Sequence, residues 1–272
     1  MISTAIDTHF LQIPAIGTAA FWLAKGVAFP NLLVPEQCAR LDALCQLAER
    51  KMPSHLSASG KAAWLAHWLF NVLGFRGNMA DYYNPANSYL NCVLDTQLGI
   101  PISLSVLYLD VAQRLGFVAY GVGLPAHFVV AVETEGSAQY FDPYHAGVPL
   151  TRQDCLERVF NIQPFQGDGR PEWFMPQDNS QIFVRMLNNL KQIYLSKEDW
   201  QLSLRVILHL RALQPELWQH TRDVGLVAVR LAQPRLAIQA LSTYLEKQAT
   251  AADASAVRFV LDKVAASYVQ LN

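Results

Sequence analysis

The segment that most constrains the fold is PISLSVLYLDVAQRL, residues 101–115, which is apolar on nearly every side of a helix. Pro101 opens the segment at a first-turn position, where an N–H group would have no helical partner, and Gly116 follows as a common helix terminator. A helix without a broad polar face must be covered on all sides. The segment therefore predicts a helix in the interior of the protein.

Three segments after this helix alternate apolar and polar residues, as half-buried strands do. They are FVAYGVGL at 117–124, AHFVVAVETE at 126–135 and AQYFDPY at 138–144, with a turn expected at Gly136. The first 80 residues favour helices over about Gly17–Lys25, Pro35–Lys51 and Lys61–Leu73. The pattern predicts an α+β fold, in which a helical N-terminal part and the buried helix pack on a short antiparallel sheet.

The C-terminal part has a different organisation. Residues 151–180 are expected to be irregular, with GDGRPEWFMPQDN at 167–179 as the linker, and everything beyond is helical. Similar residues recur at a spacing of 34, which is the tetratricopeptide (TPR) period. We therefore expect one domain over residues 1–165 and an all-α TPR-like domain over residues 181–272.

Charge and cysteine content argue against several classes of protein. The 21 basic and 22 acidic residues are mixed along the chain, which does not favour nucleic acid as a partner. No stretch of 18 apolar residues is present, so no membrane span is expected. The four cysteines lack C-x-x-C spacing, and the first residues lack the pattern of a signal peptide. We expect a globular, unsecreted, cytoplasmic protein.

His127 and Asp142 are the residues that most clearly point to chemistry. A serine or cysteine nucleophile needs a nearby base and a third group that orients this base. His127 lies in the second alternating segment, where a core histidine is the simpler interpretation. Asp142 ends the next segment, and neighbouring antiparallel strands can place it beside His127. An aspartate before proline is, however, most often only a turn former.

Three segments carry a resemblance to a known family. They are YYNPANSYLNCVLDTQLGIPISLSVLYLDVAQRLG at 82–116, GVGLPAHFVV at 121–130 and YFDPYHAG at 140–147. The chain resembles the bacterial proteins of the SirB type, which join a transglutaminase-like core to C-terminal tetratricopeptide repeats. The resemblance extends over nearly the whole chain.

The resemblance implies specific roles. In the transglutaminase-like superfamily a Gly-x-Cys stands at the start of a buried helix that ends in Leu-Gly, where the helix N-terminus lowers the pKa of the thiol. Here a Gly-Ile pair is followed by Pro101, and the helix closes on Leu115-Gly116. The resemblance thus assigns His127 as the base and Asp142 as the orienting acid, and it puts Pro101 in the place of the nucleophile.

Two residues could substitute for the missing thiol. Ser103 lies two residues into the helix and could face the same cleft, although a serine there more often caps or packs. Cys92 lies farther upstream, and the loop would have to fold back to bring it to the base.

A cleft beside the pair could be lined by aromatic and amide side chains, although a loop-stabilising role is the simpler interpretation for them. The candidate binding residues are Tyr82, Tyr83, Asn87, Ser88, Pro101 and Tyr144. His145 could join His127 and Asp142 around a metal, but no H-E-x-x-H or C-x-x-C spacing supports one. We expect no metal and no cofactor.

Three classes of function fit these features. The first, which we favour, is a non-catalytic protein that binds a protein or peptide partner in the cleft and through its repeats. The second is an amide-bond hydrolase or acyl transferase that uses Ser103 or Cys92 with His127 and Asp142. The third is a regulator whose helical module is the only working part. The oligomeric state is left open.

Overall fold

The computed structural model of the protein describes residues 12–162, 164 and 169–270. Its helices are α1 (Ile16–Val27), α2 (Val34–Lys51), α3 (Ala58–His67), α4 (Leu90–Thr96), α5 (Pro101–Arg114), α6 (Arg152–Ile162), α7 (Asn179–Ser196), α8 (Trp200–Leu213), α9 (Trp218–Arg230), α10 (Pro234–Lys247) and α11 (Ala254–Gln270). Its strands are β1 (Arg76–Gly77), β2 (Leu98–Gly99), β3 (Ala119–Val122), β4 (Val129–Thr134), β5 (Ser137–Asp142), β6 (Val148–Leu150) and β7 (Pro176–Gln177).

The described residues form two compact units. One contains residues 12–25 and 29–186 with the gaps at 163 and 165–168, and the other contains residues 26–28 and 187–270. The start of the predicted first domain and the predicted absence of a signal peptide concern residues 1–11, which lie outside the described residues. The predicted boundaries at 165 and 181 stay predictions.

Helix α5 lies in the interior, as its sequence predicts. Every residue from Pro101 to Ala112 is buried, including the single acidic residue Asp110. The Asp110 carboxylate accepts a hydrogen bond from the backbone N–H of Gly17 at 2.9 Å and pairs with Arg114 at 2.6 Å. These partners satisfy a buried charge that would otherwise be costly. The Tyr108 hydroxyl likewise donates to the carbonyl of Ala62 at 3.1 Å.

The predicted antiparallel sheet is confirmed, and it has more strands than expected. The order is β6-β5-β4-β3-β7, and every neighbouring pair is antiparallel. Strands β4 and β5 are joined by the two residues Glu135 and Gly136, both with positive φ, which suits a tight hairpin. Strands β6 and β7 were not predicted, because each has only two or three residues, too few to show a period.

The prediction that residues 151–180 are irregular is wrong, because α6 occupies Arg152–Ile162. Thr151 and Asp154 form a reciprocal cap at its start: the Asp154 carboxylate accepts from the Thr151 N–H at 2.7 Å, and the Thr151 hydroxyl accepts from the Asp154 N–H at 3.1 Å. Cys155 and Val159 are buried one turn apart. The cap and the packing of these two residues together stabilise a helix in a segment whose sequence is mostly polar.

The second unit is helical, as its 34-residue spacing predicts. Successive helices from α8 to α11 pack on one another, as expected of helical repeats. Gly225 of α9 lies against Leu241 of α10, where an added Cβ would come within 2.5 Å of a leucine methyl. Among the described residues, no helix combines the length and the apolar character needed to cross a bilayer.

Candidate functional site

The turn before β4 and the end of β5 bring His127 and Asp142 into contact. In the β4–β5 register Val130 lies opposite Phe141, so the residues just outside these positions meet at the same end of the hairpin. The Nε2 atom of His127 lies 2.8 Å from Oδ2 of Asp142. Both side chains are buried, His127 with 6% of its surface exposed and Asp142 with none. The pair that the sequence points to is therefore assembled.

The two carboxylate oxygens of Asp142 have different roles. Oδ1 accepts the backbone N–H groups of Tyr144 at 3.1 Å and His145 at 3.2 Å, which caps the short 3₁₀ helix Pro143–His145. Oδ2 faces three cationic or imidazole groups: His127 at 2.8 Å, Nδ1 of His145 at 2.8 Å and Nη1 of Arg158 at 3.3 Å. The carboxylate is thus fixed in position and orients the rings around it.

This environment keeps Asp142 ionised. Burial by itself raises the pKa of Asp142, but hydrogen bonds and charge from His127, and then from His145, outweigh burial and lower the pKa to about 2. An ionised carboxylate can only accept hydrogen bonds, so His127 donates from Nε2. The lone pair of a neutral His127 ring is then on Nδ1, and no hydrogen bond to Nδ1 is present among the described residues. His127 is therefore arranged as a base that can accept a proton at Nδ1.

Arg185 of α7 holds the turn that carries His127. Its Nη2 donates to the carbonyl of Leu124 at 2.7 Å and to the carbonyl of His127 at 2.6 Å. Its guanidinium also lies over the ring of Phe128, 5.4 Å from the centroid. Ala126, within this turn, has a φ of 55°, which is strained for a residue with a side chain. Arg185 fastens a strained turn at two points and so fixes the backbone of His127.

The start of α5 offers no free nucleophile. Pro101 is its first residue and is buried. The side chain of Ser103 is fully buried, and its hydroxyl donates to the carbonyl of Asn87 at 2.5 Å and accepts the N–H of Ile100 at 3.0 Å. Because a hydroxyl has one proton, Ser103 would have to give up this bond to attack a substrate. The structure thus uses Ser103 to cap the helix.

Cys92 lies on α4, where its thiol accepts a 3.5 Å contact from the amide of Asn91. Burial, followed by the nearby charge of Asp95, raises the pKa of Cys92 to about 11. A thiol with such a pKa is almost entirely protonated at neutral pH, and the thiolate is the reactive form.

Aromatic side chains flank the histidines on one side. The ring of Tyr82 lies 5.2 Å from that of Tyr83 and 6.0 Å from that of Tyr144, and the ring of Tyr144 lies 5.1 Å from that of His145. Tyr83 is 66% exposed and Tyr82 is 37% exposed. Tyr144 also packs on Gly77, where a Cβ would come within 2.5 Å of the ring. We call Tyr82, Tyr83 and Tyr144 the tyrosine wall.

Asn87 and Ser88 are buried behind this wall. The Asn87 amide donates to the carbonyls of Asp81 at 2.7 Å and Tyr82 at 3.2 Å, and it accepts from the amide of Asn78 at 3.1 Å. Asn87 therefore holds the loop that presents the tyrosines. Ser88 is fully buried, and its hydroxyl has no hydrogen-bond partner within the part of the chain that the structure describes.

The sequence suggested His145 beside His127 and Asp142, but it did not indicate the roles of two arginines, Arg158 and Arg185. Arg158 reaches Asp142 from α6, and the Thr151–Asp154 cap was the signal that could have located this helix. Arg185 had no such signal, since its partners are backbone carbonyls of a distant turn. His127, Asp142 and His145 place three possible metal-ligand atoms within 4.8 Å of one another.

Comparison with known proteins agrees with this organisation. A family model described as the transglutaminase-like superfamily matches residues 36–188, and a tetratricopeptide-repeat model matches residues 190–262. A UPF0162 protein of Xylella fastidiosa strain Temecula1 is 34% identical over 192 residues, which span 68% of this chain and 67% of the relative.

More distant similarities also exist. The F-box only protein 21 of Mus musculus is 40% identical over 95 residues, which are 32% of this chain and 15% of that protein. A crystal structure of menin that reveals its binding site for Mixed Lineage Leukemia protein is also similar. The similarity covers 96% of this chain and 69% of the menin chain, at 12% identity and a TM-score of 0.43. That similarity is too weak to assign a fold or a function.

Proposed function

The chain belongs to the transglutaminase-like superfamily, and on this premise we propose that it is a non-catalytic member that binds a protein or peptide partner. The observation that carries the proposal is the start of α5, where the Ser103 hydroxyl is bonded to a backbone carbonyl and where Pro101 is at the position that the resemblance assigns to the nucleophile. A proline has neither a nucleophilic side chain nor an N–H group. His127 and Asp142 then order the cleft.

The tyrosine wall and the tetratricopeptide repeats support a protein or peptide as the ligand. Exposed tyrosines provide rigid contact area together with a hydroxyl, and they are enriched where proteins meet. Tetratricopeptide repeats form extended surfaces that bind other chains. We propose Tyr83 as the main contact because it is the most exposed member of the wall.

We further propose that the protein is of the SirB type and acts in the cytoplasm. All four cysteines, Cys38, Cys45, Cys92 and Cys155, are free thiols. Free thiols, two of them buried, favour a reducing compartment.

Covalent labelling tests whether the cleft is non-catalytic. The full chain is treated with serine-directed and cysteine-directed electrophiles, and modified residues are mapped by mass spectrometry. We expect no labelling of Ser103 or Cys92 that depends on His127. Labelling that disappears in Ser103→Ala or Cys92→Ala, and that falls in His127→Ala, would overturn the proposal.

Selection of peptides on the full chain tests binding. We expect Tyr83→Ala to weaken the selected peptides by about five-fold or more, as loss of a central aromatic contact does. Phe259→Ala is the matched control, because Phe259 is an aromatic residue of similar exposure on α11. Peptides that depend on Phe259 and not on Tyr83 would favour the helical module as the working part and contradict the role of the cleft.

A second candidate function is amide-bond hydrolysis or acyl transfer. The observation that favours it is the intact His127–Asp142 bond of 2.8 Å, which leaves Nδ1 of His127 without a hydrogen bond among the described residues. Ser103 or Cys92 would have to leave its present contacts to reach that nitrogen. The labelling experiment distinguishes this function from binding.

A further inference from the structure

We propose that His127, Asp142 and His145 bind one divalent transition-metal ion of the zinc type. The proposal goes beyond the proposed function and does not rest on it, since a metal can order a cleft whatever the cleft binds. The ligand atoms are Nε2 of His127, Oδ2 of Asp142 and Nδ1 of His145, all within 4.8 Å of one another.

The three groups are held in place by the fold. Both backbone N–H bonds to Oδ1 of Asp142 fix the carboxylate, so that Oδ2 points between the two imidazoles at 2.8 Å from each. Arg185 fixes the backbone of His127 through its carbonyl. Asp142 is fully buried and ionised, with its charge directed at the two rings. Such preorganisation distinguishes this cluster from a chance group of surface side chains.

The chemistry of the donor set indicates which ions fit. Two imidazole nitrogens and one carboxylate oxygen suit Zn²⁺, Co²⁺ or Ni²⁺, whereas Ca²⁺ and Mg²⁺ prefer sites built only from oxygen. Three protein ligands leave at least one coordination position for water or for a group of a bound partner.

Binding requires a small expansion of the cluster. Bonds of about 2.0–2.2 Å in a tetrahedral site separate neighbouring ligand atoms by about 3.3 Å, compared with the hydrogen-bond distance of 2.8 Å. Each imidazole nitrogen therefore moves away from Oδ2 of Asp142 by about 0.5 Å, and the two nitrogens, which lie within 4.8 Å of each other, must also reach a separation of about 3.3 Å. The side chain of His145 is 39% exposed, which gives the ion a route from solvent.

Arg158 competes with the ion. Its Nη1 lies 3.3 Å from both Oδ2 of Asp142 and Nδ1 of His145, where it partly neutralises the carboxylate. Its side chain is 31% exposed and can turn outward when a metal arrives. The metal and the guanidinium therefore exclude each other at Oδ2 of Asp142.

Metal titration of the full chain, made without a histidine tag and stripped with a chelator, tests the proposal. Zn²⁺ affinity is measured by competition with a chromogenic chelator, and bound Co²⁺ is detected by its visible absorption bands. We expect one ion per chain. His145→Ala should weaken Zn²⁺ binding by about ten-fold or more, as loss of a metal-site partner does. His145 is the residue of choice because it is the least buried ligand and its loss does not open the core.

Two further variants make the result specific. His55→Ala is the matched control, because His55 is an exposed histidine elsewhere in the chain, and it should leave the affinity unchanged. Arg158→Gln should tighten binding, because it removes the competing cation. Unchanged affinity in His145→Ala, weaker binding in Arg158→Gln, or the absence of Co²⁺ absorption bands in the wild type would each overturn the proposal.

Discussion

The carboxylate of Asp142 should contribute stability that depends on pH in a defined direction. Burial alone raises its pKa, but the bonds and charge of His127 and then His145 lower the pKa from 3.8 to about 2 in the folded protein. This lowering corresponds to about 2 kcal/mol in the free energy of unfolding. Because the folded-state pKa is the lower one, the contribution is complete above the unfolded pKa. It is lost as the pH falls towards 2.

The variant that isolates this contribution is Asp142→Asn, which keeps the shape of the side chain and an oxygen for the two backbone N–H groups. We expect it to lower the free energy of unfolding at pH 5. The difference in the free energy of unfolding between wild type and variant should be smaller than at pH 5 by about 1 kcal/mol at pH 3 and by about 2 kcal/mol at pH 2.

Urea denaturation at a series of pH values, followed by tryptophan fluorescence, measures both proteins. At each pH, the free energy of unfolding of the variant is subtracted from that of the wild type, so that the contributions of the other titrating groups cancel. Asp95→Asn, at an exposed position, is the matched control for the loss of one carboxylate. A gap between wild type and Asp142→Asn that stays constant from pH 5 to pH 2 would refute the reasoning.

Three other substitutions test the packing of the site and of the repeats by chemical denaturation. Ser103→Ala should lower the free energy of unfolding by about 1–3 kcal/mol, because it leaves a buried N–H and a buried carbonyl without partners; an effect below 0.5 kcal/mol would contradict the capping role. Arg185→Met should lower the free energy of unfolding by about 3 kcal/mol, because it removes the hydrogen bonds to the carbonyls of Leu124 and His127. A variant as stable as the wild type would contradict the role of Arg185 in holding this turn. Gly225→Ala should cost about 1–3 kcal/mol, because its Cβ would overlap Leu241; a stabilised variant would contradict that packing.

The central parts of the fold could be predicted because their patterns are local. The helix from Pro101 is apolar on all sides, and the hairpin around Gly136 has both alternation and a turn residue. The 34-residue spacing likewise predicts the helical repeats, which the family comparison confirms. In each case the pattern within one segment is enough to predict its secondary structure.

Other parts depend on contacts between distant segments. Helix α6 reads as polar, and only its Thr151–Asp154 cap indicates a start. The approach of Arg158 to Asp142 depends on the path of α6 back towards the sheet, which no local pattern specifies. The role of Arg185 in holding two backbone carbonyls is equally invisible in the sequence, because such acceptors are present at every residue.

We propose that Pro101 takes the place of the nucleophile that the transglutaminase-like superfamily pairs with a base and an acid, here His127 and Asp142. The most direct test is to introduce a thiol by Pro101→Cys and to measure its alkylation by iodoacetamide at neutral pH, with mass spectrometry to quantify each site. Cys92, whose pKa burial raises to about 11, is the internal reference. We expect the introduced thiol to be alkylated at least about ten-fold faster than Cys92. Its alkylation should be slower in the double variant that also carries His127→Ala. An introduced thiol that reacts no faster than Cys92, and that is unaffected by His127→Ala, would contradict the claim.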